Sequence, residues 1–190
     1  MFENVYSFSI SSTGLTYLGQ AVGSICGLCI MLYTYRFYWT PQSNLAKTRG
    51  EGKMSPDKRL VVAMLGAPML PISLFWFGWT ASPDILWLSP VVAEGFFSCG
   101  NILVFTCASL YLTDCYGALY GASAWASNTF LRYLFSFAFP LFAVQMYERL
   151  GVGWASSLLG FISLALVPIP FAFYRYGPFL RSKSKYASGE

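Results

Sequence analysis

Asn128 and Arg132 stand one helical turn apart inside a long apolar run, and Glu94, Ser98 and Asn101 fall at i, i+4 and i+7 inside another. These are the positions where side-chain type and spacing allow chemistry, because two such polar stripes can face each other across a helix bundle. Arg132 lies roughly twelve residues from either end of its run, too deep to snorkel, and a charge at that depth costs about 2.5–3.5 kcal/mol to insert. It calls for compensation, and Glu94 is the available acid. An acid near a fixed Arg can serve as a proton site or as a site for a substrate cation. The plain alternative is a structural ion pair or hydrogen-bonded network that fixes helix packing.

The sequence contains no histidine. That excludes a Ser/His/Asp or Cys/His catalytic arrangement and removes the commonest metal ligand. With no clustered acids either, the expectation is no enzyme activity, no cofactor and no metal. Cys26, Cys29, Cys99, Cys107 and Cys115 lie in apolar runs or at the edge of one, where free Cys behaves as a small packing residue. The CxxC of Cys26 and Cys29 has no second pair to complete a metal site.

The solvent these residues work in follows from composition. Of the 190 residues, 56% are hydrophobic, 19% aromatic and only 11% charged, against roughly 25% charged in soluble domains. Twelve Lys/Arg and eight Asp/Glu are too few to wrap a soluble core of this size. The net charge of +4 comes with no base-stacking module, so nucleic acid is not an expected partner and the lipid bilayer is.

Five apolar runs have about the twenty residues that a helix needs to cross the hydrocarbon: Gly14 to Tyr35, Leu60 to Thr80, Leu86 to Leu112, Leu119 to Tyr147 and Val152 to Tyr174. The expected fold is an all-α, polytopic membrane helix bundle of about five transmembrane helices in a single domain over 1–190. Between the first two spans lies a polar, turn-forming loop, Arg36 to Arg59, and the tail runs from Arg175 to Glu190. All but two of the twelve cations fall in that loop and that tail: Arg36, Lys47, Arg49, Lys53, Lys58, Arg59, Arg175, Arg181, Lys183 and Lys185. Short cytoplasmic segments collect Lys and Arg, so the loop and C-terminus are expected in the cytoplasm and the N-terminus outside. Met1 to Thr13 carries no basic n-region or cleavage site, so no signal peptide is expected.

Polar side chains divide unevenly among the spans. The first carries Gln20, the third Glu94 and Asn101, and the fourth Asn128, Arg132 and Gln145, while the second and fifth carry nothing more polar than hydroxyls and aromatic N–H or O–H groups. Since polar groups avoid lipid, spans one, three and four are expected to line a polar interior, with two and five as an outer layer. Gly19, Gly23 and Gly27 recur every fourth residue, a face that lets another helix approach closely. Pro68, Pro71, Pro90, Pro140, Pro168 and Pro170 are each expected to bend a helix. Phe96, Phe97, Phe135 and Phe139 lie deep enough to pack the bundle or touch an apolar substrate.

Three stretches carry a family resemblance: Pro56 to Thr80 (PDKRLVVAMLGAPMLPISLFWFGWT), Ala122 to Phe161, which includes NTFLR, and Pro168 to Ala187. With the weaker FSISSTGLTYLG near the start, nearly the whole chain resembles the C-terminal half of fungal major facilitator superfamily transporters, in the drug:proton antiporter branch that includes multidrug and polyamine exporters. The resemblance implies that the spans correspond to helices eight to twelve, with eight, ten and eleven lining a central cavity and nine and twelve outside it. It implies Arg132 and Asn128 as pathway residues, with Glu94, Asn101 and Gln20 placed there by position, and as partners a small-molecule substrate, protons and a missing N-terminal six-helix half. Alternating access rocks one half against the other, so these spans alone are expected not to transport, and a truncated C-terminal portion is the expected origin. The plasma membrane is the expected location, then the vacuolar membrane. The competing expectation is an accessory membrane protein that assembles with a partner transporter and moves nothing itself.

Overall fold

The computed structural model describes Tyr6 and residues 10–48 and 55–183; Arg49, Lys53 and Lys185 of the basic segments lie outside the described residues. Every described element is helical. Helix α1 (Ile10–Thr34) runs through a π-helical turn (Tyr35–Trp39) into α2 (Thr40–Thr48). A 3-10 turn (Pro56–Arg59) leads into α3 (Leu60–Thr80). Helix α4 (Leu88–Leu166) leaves helical φ/ψ at Gly117 (φ 60°, ψ −162°) and Gly151 (φ 74°, ψ 167°), which divide it into segments α4a (88–116), α4b (118–150) and α4c (152–166). Helix α5 (Pro168–Lys183) follows after Val167.

Four stretches are long and apolar enough to cross a membrane, and the last of them, Tyr120–Lys183, is 64 residues long. At 1.5 Å per residue that is about 96 Å, three times the hydrocarbon thickness. The chain resolves the excess by reversing at Gly151, where only glycine adopts such a backbone without strain. Tyr147 and Ser156, on either side of the reversal, have their hydroxyls 3.3 Å apart. The architecture is an all-α membrane bundle, in which the reversal at Gly151 folds the longest of the four stretches back on itself.

Pairwise contacts set the direction of each pass. In α1 and α4a, Gly19 lies against Val91, Gly23 against Gly95 and Gly27 against Cys99, so these two helices run parallel. In α3 and α4a, Trp76 Nε1 donates to Ser89 Oγ (3.1 Å) while Gly66 meets Leu103, which makes them antiparallel. In α3 and α4c, Gly78 meets Ser156 and Phe75 stacks edge-on against Phe161 (5.1 Å), again antiparallel. Continuing along α5, Phe173 reaches Tyr111 (6.0 Å) and Arg181 reaches Asp57. One end of the bundle therefore gathers Thr80, Gly151 and Trp154, and the other gathers Asp57, Tyr111, Asp114 and Arg181.

One expectation is corrected by the described helices. The segment 36–59 is not a turn-rich loop in its described part: α1 continues as helix to Thr48, because Pro41 is accommodated rather than avoided. Thr40 N–H bonds to the Tyr35 carbonyl, an i→i−5 bond that widens the turn ahead of the proline, and Trp39 anchors it at 3% exposure. Burial within the chain follows a different division from side-chain polarity, which concerns the surfaces left uncovered. Helix α3 is the packed centre of this chain, burying Val62, Ala63, Gly66, Ala67 and Ser73; Val62 and Ala63 cluster with Met31, Trp39, Leu103 and Cys107, Gly66 lies against α4a and Gly78 against α4c, because the small residues of α3 admit a helix on two sides. The segment α4b instead has no buried residue from 122 to 150. The described backbone departs from helical geometry within α4 at glycines, and the helix continues through Pro140.

Candidate functional site

Helix α4b is held against α4a by a short set of polar and aromatic contacts. Trp125 Nε1 donates to Thr113 Oγ1 (3.1 Å), the Trp125 ring meets Phe105 edge-on (6.2 Å), and the Arg132 guanidinium lies 4.3 Å from the centre of the Phe105 ring. Phe105 thus has an indole set at right angles to it and a guanidinium over its ring, and the cation suits the ring's negative face. Neither Phe105 nor Trp125 stands out in the sequence. The available signal is that Phe105 follows Asn101 by one turn, which places a ring on the polar stripe.

Arg132 is exposed and Asn128 half-buried; Asn101 and Gln20 are exposed, and Glu94 is half-buried. The two stripes do not meet as a pair of charges. Glu94 is about three turns from Phe105, about 16 Å along α4a, so it lies well away from Arg132. Among the described residues the ion pairs are Arg59 with Asp114 and Arg181 with Asp57, and neither includes Arg132 or Glu94. Compensation of Arg132 within the chain comes from Phe105, not from the acid that sequence reasoning offered.

Between Glu94 and Asn101, Ser98 turns to α1. Its hydroxyl lies 2.7 Å from that of Ser24, whose own Oγ donates to the Gln20 carbonyl (2.9 Å). Around this bond the two backbones nearly touch: a Cβ on Gly23 would collide with the Gly95 carbonyl, and one on Gly27 would come within 3.1 Å of the Cys99 carbonyl. The Gly19, Gly23 and Gly27 face therefore brings α1 alongside the polar stripe of α4a. Gln20 and Gln145 both point away from the described packing.

A second polar cluster, which sequence reasoning treated only as loop charge, closes the opposite end. Arg181 donates two hydrogen bonds to Asp57 (2.6 and 2.7 Å) and a longer one to Tyr111 Oη (3.4 Å), and Ser55 Oγ donates to Asp57 (3.1 Å). Arg59 pairs with Asp114 and covers the Trp39 ring at 5.2 Å, and Lys58 donates to Gln42 (2.7 Å). Asp57 precedes the apolar stretch of α3. Burial alone would raise its pKa, but the hydrogen bonds and charge of Arg181 dominate and hold it below its usual value. No group of three or more metal-ligating side chains occurs among the described residues.

The chain is 40% identical to efflux pump atB of Aspergillus terreus over all of its length, covering 40% of that protein. It is 41% identical to efflux pump FUB11 of Gibberella moniliformis, with 99% of the chain and 31% of the relative aligned. It is 38% identical to the MFS transporter prlG of a fungal species, with 95% of the chain and 37% of the relative aligned. The chain thus spans about a third to two fifths of the length of the curated relatives it matches. No family model matches the chain, and no solved structure does.

Proposed function

We propose that this chain is part of a fungal major facilitator superfamily efflux carrier and forms helices eight to twelve of it, exporting small molecules across the membrane. The observation that carries the reading is identity of about 40% along essentially the entire chain with proteins named efflux pumps. The geometry supports it. Polar side chains at Gln20, Asn101 and Arg132 stay exposed on apolar helices, which is costly in lipid and favourable only against water or another protein. In this reading α1, α4a and α4b present those faces to a central aqueous path, and the opposite six-helix half supplies the other wall. The five passes cross the bilayer with the Asp57–Arg181 end in the cytoplasm and the Thr80 end outside, in the plasma membrane before the vacuolar membrane. Glu94 is the proton-coupling candidate: it lies half-buried within α4a and has no ion pair among the described residues, whereas Glu148, also without one, stands exposed at the end of α4b beside the Gly151 reversal. Of the drug and polyamine alternatives the drug reading is kept, because a polycation would meet the positive charge of Arg132.

The test is efflux from a yeast strain depleted of its own exporters, expressing this chain alone and together with a matching six-helix half, with insertion verified in both. Lowered retention of labelled drug only when both halves are present is the expected result. No change with both halves inserted would overturn the carrier reading, and copurification with an unrelated transporter would then favour an accessory role.

A further inference from the structure

Arg132 has an aromatic neighbour but no acid partner among the described residues. Its central guanidinium carbon lies 4.3 Å from the centre of the Phe105 ring, a neighbour that accepts no conventional hydrogen bond, while a guanidinium carries its N–H donors as a planar fork that grips a carboxylate by two parallel hydrogen bonds. No acid among the described residues takes those donors. The position is about 20 Å from the nearer end of α4b by helix rise, beyond the reach of a snorkelling side chain. Because Trp125 pairs with Thr113 while Arg132 pairs with Phe105, α4a and α4b run antiparallel at this point. That places Asn128 one turn to one side of the guanidinium and Asn101 one turn to the other, about 6 Å away in each direction along the axis. Beyond Arg132 on the same face of α4b come Phe135 and Phe139, at i+3 and i+7, 70% and 37% exposed.

We propose that Arg132, flanked by Asn128 and Asn101, binds the carboxylate of an amphiphilic substrate whose apolar body lies along Phe135 and Phe139. The proposal rests on the reading of the chain as part of an export carrier and names the substrate class of that carrier as an organic acid. The contact with Phe105 restrains the guanidinium before substrate arrives, which lowers the ordering cost that opposes binding. Glu94, about 16 Å along α4a from this seat, is too far away to occupy it.

The experiment uses the full chain in lipid nanodiscs and measures equilibrium binding of three probes that share one ring system: 2-naphthoate, its neutral amide and 2-naphthylmethylammonium. The expected result is a preference of about tenfold or more for naphthoate, abolished in Arg132→Gln and reduced a few-fold but retained in Arg132→Lys. Asn128→Ala, on a half-exposed position, provides a second variant with an expected few-fold loss if the glutamine variant fails to fold. Equal binding of the three probes, no binding of naphthoate, or a preference that survives every substitution would overturn the site. Charge-selective binding without efflux by the two-half carrier keeps the site and removes the transport reading; efflux without charge-selective binding does the reverse.

Discussion

Arg132 and Arg181 show how differently one residue type is used at two depths. Arg132 has a ring for a neighbour and keeps its donors free, whereas Arg181 spends two of its hydrogen bonds on Asp57 and so ties the end of α5 to the start of α3. The Asp57 side chain is only 10% exposed, so removing its partner leaves a largely buried carboxylate unsatisfied. Arg181→Ala should therefore destabilise the bundle by about 1.5–3 kcal/mol, read as a lower thermal midpoint in detergent. Double replacement with Asp57→Asn should recover part of that loss. The sign of the pH effect follows from the depressed Asp57 pKa. The pair's contribution is complete above the ordinary carboxyl value of 3.8 and is lost as pH falls below it through the lower folded value. The gap between wild type and Arg181→Ala should be constant near neutrality and close in acid below pH 3.8; a gap that widens in acid would contradict the assignment.

Helices in this chain are joined by the absence of side chains as much as by their presence. Along the seam of α1 with α4a the backbones approach so closely at Gly23 and Gly95 that a single methyl has no room. Gly23→Val should separate the helices at a cost of about 1–3 kcal/mol, while Gly14→Ala, with nothing within 4 Å of the added carbon, should leave the midpoint unchanged. Gly151 is a different case: space is open around it, but its φ of +74° is one that other residues adopt only under strain. Gly151→Ala should cost about 1–3 kcal/mol through the backbone alone, and would be expected to loosen the reversal between α4b and α4c, seen as faster proteolysis there. The membrane bundle itself was legible from the apolar runs, since nothing else accommodates so few charges. The helical continuation through Pro41 was not, because the device that permits it is a backbone widening anchored by Trp39, and neither the polar composition nor the proline announces it. The seat of Arg132 was legible only by half. Its depth in the run called for compensation, but Phe105 and Trp125 come from tertiary pairing that spacing along one helix cannot supply.

At the scale of the whole molecule, the chain covers α3 well and leaves α4b and much of α1 uncovered. Polarity alone suggested that spans two and five lie outside, and burial within the chain instead makes the second span a centre. The two patterns describe different boundaries: polar side chains report what faces an aqueous path, and burial reports what this chain packs by itself. The central claim, that the polar residues on α1, α4a and α4b face water rather than lipid, is tested most directly by single cysteines placed at 20, 101, 128 and 132 in a background without the native thiols. Labelling with a charged, water-borne maleimide in the assembled two-half carrier is compared with cysteines at the exposed apolar positions Ile72 and Leu158. The account predicts modification at 20, 101, 128 and 132 and protection at 72 and 158; equal protection at all six would contradict it and place those polar faces in lipid or in a dry contact.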